Sequence, residues 1–188
     1  MATEIRLVKP APAYLPAYRA ALERGWSPDN VRLAEAAREQ LLEMDADRDR
    51  FLARFDDPEG KGPPVKLPDG SAAPRLPGFT RWIWDGDFCG SIGLRWQPGT
   101  SALPAHVLGH IGFAIVPWKR RRGYAAQALA AMLDLARARG LDHVELTADP
   151  DNLASQGVIA KCGGVLVERF RKSPAYGGVQ ALRFRIDL

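Results

Sequence analysis

Long hydrophobic runs are missing from this 188-residue chain. No apolar stretch approaches the roughly 18–20 residues that a helix needs to span a bilayer. Residues 1–8 alternate like a strand, and they lack the charged start and the apolar stretch of a signal peptide. We therefore predict a cytoplasmic protein with no membrane partner.

Cysteine is scarce as well, because Cys89 and Cys162 are the two in the chain. Two isolated cysteines are too few for a disulfide framework or a zinc site, so we predict no metal site. The 26 basic residues exceed the 22 acidic ones, but most are scattered among carboxylates. Such scatter is typical of a solvated surface and disfavours a nucleic-acid partner. Residues 119–122, Lys-Arg-Arg-Arg, are the exception.

Apolar periodicity predicts one domain over residues 1–188, with element order β-α-α-β-β-β-α-β-α-β-β. The helices are predicted after Pro12, from residue 31, over 122–139 and over 152–161. Asp85-Gly86 predicts a hairpin turn between two strands. Residues 56–78 are rich in proline, glycine and charge, which predicts a long loop inside the domain. This alternation indicates the α/β (α+β) class.

The strongest local signal is the basic turn, residues 119–123, between a strand that stops at Pro117 and a helix. The first N–H groups of a helix lack intrahelical partners, and the helix dipole adds partial positive charge there. Gly123 would let a phosphate approach the backbone, while Arg120 and Arg122 would add charged hydrogen bonds. The alternatives are a solvated turn and a nucleic-acid patch, which the shortness of the run disfavours.

A family resemblance rests on this turn and on a second block. Arg120-x-x-Gly123-x-Ala125, after a Gly-His-Ile-Gly-Phe-Ala-Ile-Val-Pro strand, resembles the Q/R-x-x-G-x-G/A signature of the GNAT acetyltransferase superfamily. Residues 151–155 and 160–164 resemble its next block, an Asn-x-x-Ser helix ending in Lys-x-Gly. The likeness is strong over residues 109–167 and is greatest to uncharacterised bacterial predicted acetyltransferases with a similar strand.

The resemblance implies a fold and an activity. The fold is a mixed central sheet of six to seven strands flanked by about four helices. The activity is N-acetyl transfer from acetyl-CoA to a primary amine, most simply that of a small molecule, by direct transfer. An acetyltransferase of protein N-termini or lysines and a non-catalytic acyl-CoA sensor are the alternatives. A monomer and a homodimer both stay open.

The resemblance also implies which residues hold the cofactor. Backbone groups of Ile115 and Val116 would meet the pantetheine arm, and Asn152 and Ser155 would meet the cofactor along it or near the thioester. The pyrophosphate would be held at the turn by Arg120, Arg121, Arg122, Gly123, Tyr124 and Ala125.

One position departs from the family pattern. Many relatives carry a tyrosine seven residues after the asparagine, where it protonates the leaving thiolate, but this chain has Ile159 there. An apolar side chain donates no proton. Tyr124 or Tyr176 would have to replace it, or the thiolate leaves without a dedicated acid. This absence also supports the sensor alternative.

His110 is the first candidate for the catalytic base, because its ordinary pKa suits proton transfer and relatives often carry a glutamate there. The alternative is a structural histidine. Glu145 on the next strand is the second candidate, whereas His106 and His143 are predicted to be surface residues. For the acceptor, the resemblance points to three further residues, namely Trp26, Asp29 and Tyr176.

Overall fold

The computed structural model describes residues 4–29 and 32–188, and the helices and longer strands in this part of the chain follow the predicted order. None of the helices there is long and apolar enough to cross a membrane. The strands are β1 Arg6–Val8, β2 Asp56–Asp57, β3 Val65–Lys66, β4 Ala72–Ala73, β5 Gly78–Trp84, β6 Phe88–Arg95, β7 Ile111–Ile115, β8 His143–Ala148, β9 Val165–Arg171 and β10 Gln180–Asp187. The α-helices are α1 Leu15–Glu23, α2 Leu33–Ala46, α3 Arg48–Ala53, α4 Tyr124–Arg137 and α5 Leu153–Lys161.

Two antiparallel sheets form the centre of the fold. The larger sheet has the order β1-β5-β6-β7, with the short β2 paired to β5, and the smaller sheet has the order β8-β10-β9. This arrangement corrects the expectation of a single mixed sheet. The sheets meet where the His110 N–H donates to the Glu145 carbonyl (2.7 Å). The next hydrogen bond between the sheets involves the His110 ring, whose Nδ1 accepts from the Glu145 N–H (2.9 Å). Because the His110 ring stands where a backbone carbonyl would accept this bond, no ladder of backbone hydrogen bonds joins β7 to β8 in the described residues.

Gly109 permits this close approach. A Cβ at Gly109 would lie 2.9 Å from the Glu145 carbonyl oxygen and 3.2 Å from the Leu146 Cα, and both of these are backbone atoms. A side chain there would therefore push the two sheets apart.

Two predicted segments differ in detail from the structure. Residues 56–78 contain β2 and the β3–β4 pair, so the segment is partly ordered rather than a plain loop. The second predicted helix is two helices, because the Asp47 carboxylate accepts from the Arg50 N–H (2.9 Å) and starts α3. Its predicted start at residue 31 lies outside the described residues.

The larger sheet is covered on both faces. On one face α4 packs its apolar side against the sheet strands, with Leu129 and Met132 fully buried. On the other face α1, α2 and α3 enclose an aromatic cluster, in which Tyr18 stacks on Trp82 with ring centroids 4.3 Å apart. Apolar burial of this kind is the main source of stability in such a domain.

Candidate active site

The basic turn has a backbone conformation that presents N–H groups to solvent. Arg121 and Gly123 are both left-handed, with φ of 63° and 78°. The N–H groups of residues 121–126 make no hydrogen bond within the described part of the chain, and α4 begins directly behind them. A Cβ at Gly123 would meet nothing closer than the Gln127 amide nitrogen at 4.0 Å, so the space in front is open. These features together suit a phosphate group.

The edge of β7 that faces β8 leads towards this turn. The Val116 N–H donates to the Cys89 carbonyl (3.0 Å), on the β6 side. Bonding sides alternate along a strand, so the backbone groups of Phe113 and Ile115 lie on the opposite edge. The Ile115 carbonyl accepts from Arg120 Nε (3.2 Å). The backbone of Ile115 therefore lies at this edge, whereas the Val116 N–H and carbonyl are both bonded within the protein. Contact of either residue with a pantetheine arm stays a prediction.

Tyr124 does not sit as a proton donor to a thiolate. Its hydroxyl donates to Asp85 Oδ2 (2.7 Å), while Lys119 Nζ bonds Asp85 Oδ1 (2.7 Å). Burial acts to raise the pKa of Asp85, but the bonds from Lys119 and Tyr124 outweigh it and lower that pKa to about 2. The Tyr124 side chain is buried with this pair, so its contribution to an anion site would come from its backbone N–H.

Asn152 and Ser155 lie at the start of α5. The Asn152 side-chain oxygen accepts from the Ser155 N–H (3.0 Å) and caps the helix. Their cofactor role stays a prediction beside this capping role. Ile159, at the family's tyrosine position, is buried and belongs to the core that packs against α4.

His110 is fully buried. Its Nδ1 accepts from the Glu145 N–H, so the neutral ring carries its proton on Nε2, which is buried too. Burial lowers the pKa of His110 to about 4, although the nearby Glu145 carboxylate acts in the opposite direction. A neutral ring with its lone pair already used has none to offer an ammonium. The geometry therefore favours the structural alternative, and a catalytic role for His110 stays a prediction without geometric support.

Glu145 is committed to other partners. Its carboxylate bonds Arg185 (3.2 Å) and lies 3.7 Å from Arg183, both on β10. These ion pairs leave the carboxylate engaged with β10 rather than open to a substrate. The structure thus gives neither predicted base a free position.

A cavity of about 300 Å³ lies on the side of the larger sheet that carries Thr80, Gly93 and Arg95. Three guanidinium groups and one carboxylate line it, and we call it the arginine cavity. These charged residues are Arg54, Arg75, Arg95 and Asp57.

Tyr176 is the predicted acceptor residue that the fold brings to the arginine cavity. Its hydroxyl donates to the His106 carbonyl (3.1 Å). Burial raises the pKa of Tyr176, and Arg95 opposes that increase. His106 lines the cavity as well, which corrects its prediction as a surface residue, and its Nε2 is buried without a hydrogen bond among the described residues.

The other two predicted acceptor residues lie elsewhere. Trp26 is buried in the aromatic cluster, with its ring 5.0 Å from that of Phe88. Asp29 accepts from the Arg32 N–H (2.9 Å) and pairs with its side chain (3.2 Å) near the start of α2. Neither residue lines the cavity, so the geometry does not support their predicted roles.

Sequence reasoning missed the three cavity arginines because they are far apart in the chain. A weak signal did exist on β6, where Ser91, Gly93 and Arg95 alternate with the core residues Ile92 and Leu94. A cation at the end of such a strand, two residues after a glycine, points to open space on that face.

No group of three or more histidine, cysteine or acidic side chains suited to a metal ion occurs in the described ranges. Three features described above could take part in binding, namely the basic turn, the β7 edge and the arginine cavity. The first two suit a phosphate-bearing cofactor with an extended arm, and the third suits a second, small substrate.

Comparison with known proteins identifies the family of the chain. The family model described as an acetyltransferase (GNAT) domain matches residues 31–165. A search of curated proteins finds no match.

Solved structures share the fold at low identity. The microcin C7 self-immunity acetyltransferase MccE, in complex with acetyl-CoA and AMP, is 12% identical with a TM-score of 0.62 and covers 98% of this chain and 93% of its own. A putative ribosomal-protein-serine acetyltransferase from Vibrio cholerae is 13% identical with a TM-score of 0.62 and covers 100% and 96%. The ribosomal L7/L12 α-N-protein acetyltransferase RimL, in complex with coenzyme A, is 13% identical with a TM-score of 0.60 and covers 99% and 95%. The chain belongs to the GNAT acetyltransferases and is an acetyl-CoA-dependent acetyltransferase.

Proposed function

We propose that the enzyme acetylates the primary amine of a small molecule that enters the arginine cavity. The observation that carries this proposal is the size of the cavity. A volume of about 300 Å³ lies at the low end of the range for small-molecule sites. An unfolded protein segment would need a longer groove.

The cofactor roles predicted for the basic turn fit the same proposal. The free N–H groups of residues 121–126 would hold the pyrophosphate, with Arg120, Arg121 and Arg122 beside it. The pantetheine arm would follow the free edge of β7 at Phe113 and Ile115. This route leads from the exposed turn along β7, the strand of the larger sheet that lies next to the smaller sheet. It would carry the thioester towards the interior of the protein.

The reaction needs few groups from the protein. The amine nitrogen attacks the thioester carbonyl carbon, the C–N bond forms, the C–S bond breaks, and the thiolate takes up the proton that the amine loses. A backbone N–H on the β7 edge would stabilise the oxyanion of the tetrahedral intermediate. Positioning of the two substrates would supply most of the remaining rate enhancement.

Acetylation of protein N-termini is the second candidate, and the names of two structural neighbours favour it. RimL is named as an α-N-protein acetyltransferase and the Vibrio cholerae protein as a putative ribosomal-protein-serine acetyltransferase. The cationic lining of the cavity speaks against an acceptor whose main charge is an ammonium group.

The test is release of CoA thiol with a panel of small amines and of peptides with free N-termini or lysines. We expect turnover with small amines. Val107 lines the cavity, and Val107→Trp should lower kcat/KM for the small amine at least about tenfold, because bulk in the site displaces the acceptor. Acetyl-CoA affinity, measured by calorimetry, should stay the same.

Val167→Trp is the matched control. Val167 is half exposed on β9 and does not line the cavity, so neither measurement should change. Turnover of peptides alone, or small-amine turnover that survives Val107→Trp, would contradict the proposal.

A further inference from the structure

The charge of the arginine cavity is unusual for a site that receives an amine. Arg54, Arg75 and Arg95 face a single carboxylate, that of Asp57. An ammonium group enters such a field at a disadvantage, whereas an anionic group is attracted to it. Attraction of the ammonium group therefore does not explain how an acceptor amine would bind in this cavity, and another group of the acceptor must favour binding.

Two of the three arginines already have partners. Arg54 forms an ion pair with Glu43, and Arg75 Nε donates to the Pro63 carbonyl (2.8 Å). The Asp57 carboxylate is occupied as well, because it accepts from the N–H groups of Lys61 (2.9 Å) and Gly62 (2.8 Å). These groups shape the wall of the cavity, and their own bonds hold them there.

Arg95 differs, because its guanidinium has no hydrogen-bond or ion-pair partner in the described part of the protein. The guanidinium lies over a part of the sheet that has no side chains, because Gly93 on β6 pairs with Gly112 on β7. A methyl carbon at Gly112 would be 3.4 Å from Arg95 Nη2. The side chain is exposed to the open space of the cavity, while the protein around its base lowers the pKa of Arg95 and Tyr176 acts in the opposite direction. A guanidinium that lines a cavity and has no partner in the protein can offer its N–H groups to an anionic ligand.

We propose that Arg95 binds an anionic group of the acceptor, so that the substrate is a small primary amine that also carries a carboxylate or a phosphate. This inference rests on the proposed function and narrows it. A planar guanidinium binds either anion through two parallel hydrogen bonds. The same cations also favour the neutral form of the bound amine, since a like charge disfavours the ammonium. The site thus lessens the need for a protein base, which neither His110 nor Glu145 is placed to be.

The test uses pairs of amines that differ only in the anion. β-Alanine is compared with β-alaninamide, and phosphoethanolamine with ethanolamine, by calorimetric binding in the presence of CoA and by thiol release with acetyl-CoA. The wild type should prefer the anionic member of at least one pair by about 100-fold, because an unpaired guanidinium in a cavity lined by further arginines favours a matching anion. The pair that shows the preference distinguishes carboxylate from phosphate.

Arg95→Gln should abolish the preference by weakening the anionic member alone. Its affinity for acetyl-CoA should be unchanged, which also reports that the variant is folded. Arg95→Lys keeps the charge but loses the paired hydrogen bonds, so it should retain part of the preference, with about a tenfold loss. Arg38→Gln, which removes an exposed guanidinium on α2, is the matched control and should behave as the wild type.

The outcomes separate this inference from the proposed function. If anionic amines bind through Arg95 but none is acetylated, the inference stands and the proposed function fails. If the wild type acetylates neutral amines as well as anionic ones, or if Arg95→Gln keeps the preference, the inference is overturned while the proposed function stands. If no anionic amine binds at all, the inference is overturned as well.

Discussion

The basic turn and the arginine cavity are both rich in arginine, but they are built in opposite ways. The turn has four consecutive cations, and Arg120, Arg121 and Arg122 are exposed. The cavity takes its three arginines from the residue that follows α3, from the segment between β4 and β5, and from the end of β6. At the turn the backbone N–H groups would supply the directed hydrogen bonds to a ligand, whereas in the cavity the side chains would do so.

This difference separates two kinds of anion recognition. An exposed turn in front of a helix can hold a phosphate that remains largely in water, and its affinity comes from many weak contacts. An unpaired guanidinium that lines a cavity binds one matched anion through directed hydrogen bonds, which gives selectivity rather than general attraction. Recognition by an exposed turn suits the acetyl donor, which is common to the whole family. Recognition by a guanidinium in a cavity suits the acetyl acceptor, which is particular to one enzyme.

We expect Gly123→Glu to have the largest effect among the variants that test the difference between the basic turn and the arginine cavity. The substitution places a carboxylate where the pyrophosphate is expected and forces a side chain into a φ of 78°. We expect acetyl-CoA affinity to fall at least about 100-fold, because like charge and lost backbone access act together. Binding of the anionic amine in the cavity should be little changed.

Gly140→Glu is the matched control for that variant. Gly140 has a φ of 76° and lies just after the other end of α4, also with open space around it. The two variants should lose similar folding stability but differ in acetyl-CoA affinity. Equal affinities in calorimetry would mean that the turn is not the phosphate site.

The second prediction concerns His110, which holds β7 to β8 between the two regions. His110→Ala removes the acceptor of the Glu145 N–H and leaves a void, so unfolding in urea should show a loss of about 2–4 kcal/mol. Turnover per folded molecule should change by less than about threefold, since the ring offers no free lone pair. His110→Asn restores an acceptor and should recover part of the stability. A large fall in kcat with normal stability would restore the catalytic assignment.

The pH dependence of stability gives an independent check on His110. Its folded pKa of about 4 lies below the ordinary value of about 6.5, so the unfolded chain binds the extra proton. The free energy of unfolding should therefore fall by about 3 kcal/mol as the pH drops from about 6.5 to below 4. His110→Asn should lose this part of the slope, as measured by urea unfolding at several pH values.

The smallest effect is expected from salt. Raising potassium chloride from about 50 to 500 mM should weaken acetyl-CoA binding about fivefold, because the charges of the turn are exposed and screened. Binding of the anionic amine should weaken only about twofold, since it depends on one guanidinium in a cavity rather than on a run of four cations. Equal salt dependence in calorimetry would remove the distinction between the two regions.

The local features were readable from the sequence because each depends on neighbours in the chain. The order of helices and strands, the hairpin turn at Asp85-Gly86 and the anion-binding character of the turn before α4 follow from periodicity, turn chemistry and helix-end chemistry. The resemblance to GNAT enzymes rested on the same residues, and the family match over residues 31–165 agrees with it.

The division into two sheets, by contrast, was decided by the tertiary structure. The sequence around a histidine at the start of a strand is the same whether its ring faces a substrate or accepts a hydrogen bond from the backbone of the neighbouring strand. Only the approach of Gly109 to β8 places the His110 ring against the Glu145 N–H. The burial that follows lowers its pKa and favours the structural alternative over the predicted catalytic base.

The arginine cavity was decided in the same way. Arg54, Arg75 and Arg95 are separated by about twenty residues each in the sequence, and nothing in the spacing of the first two distinguishes them from the other scattered cations. Chain folding brings them around one cavity and gives partners to Arg54 and Arg75. What the sequence determined by itself was therefore the basic turn before α4, the predicted cofactor site, which is local. The arginine cavity, the proposed acceptor site, depends on long-range packing, which only the folded chain defines.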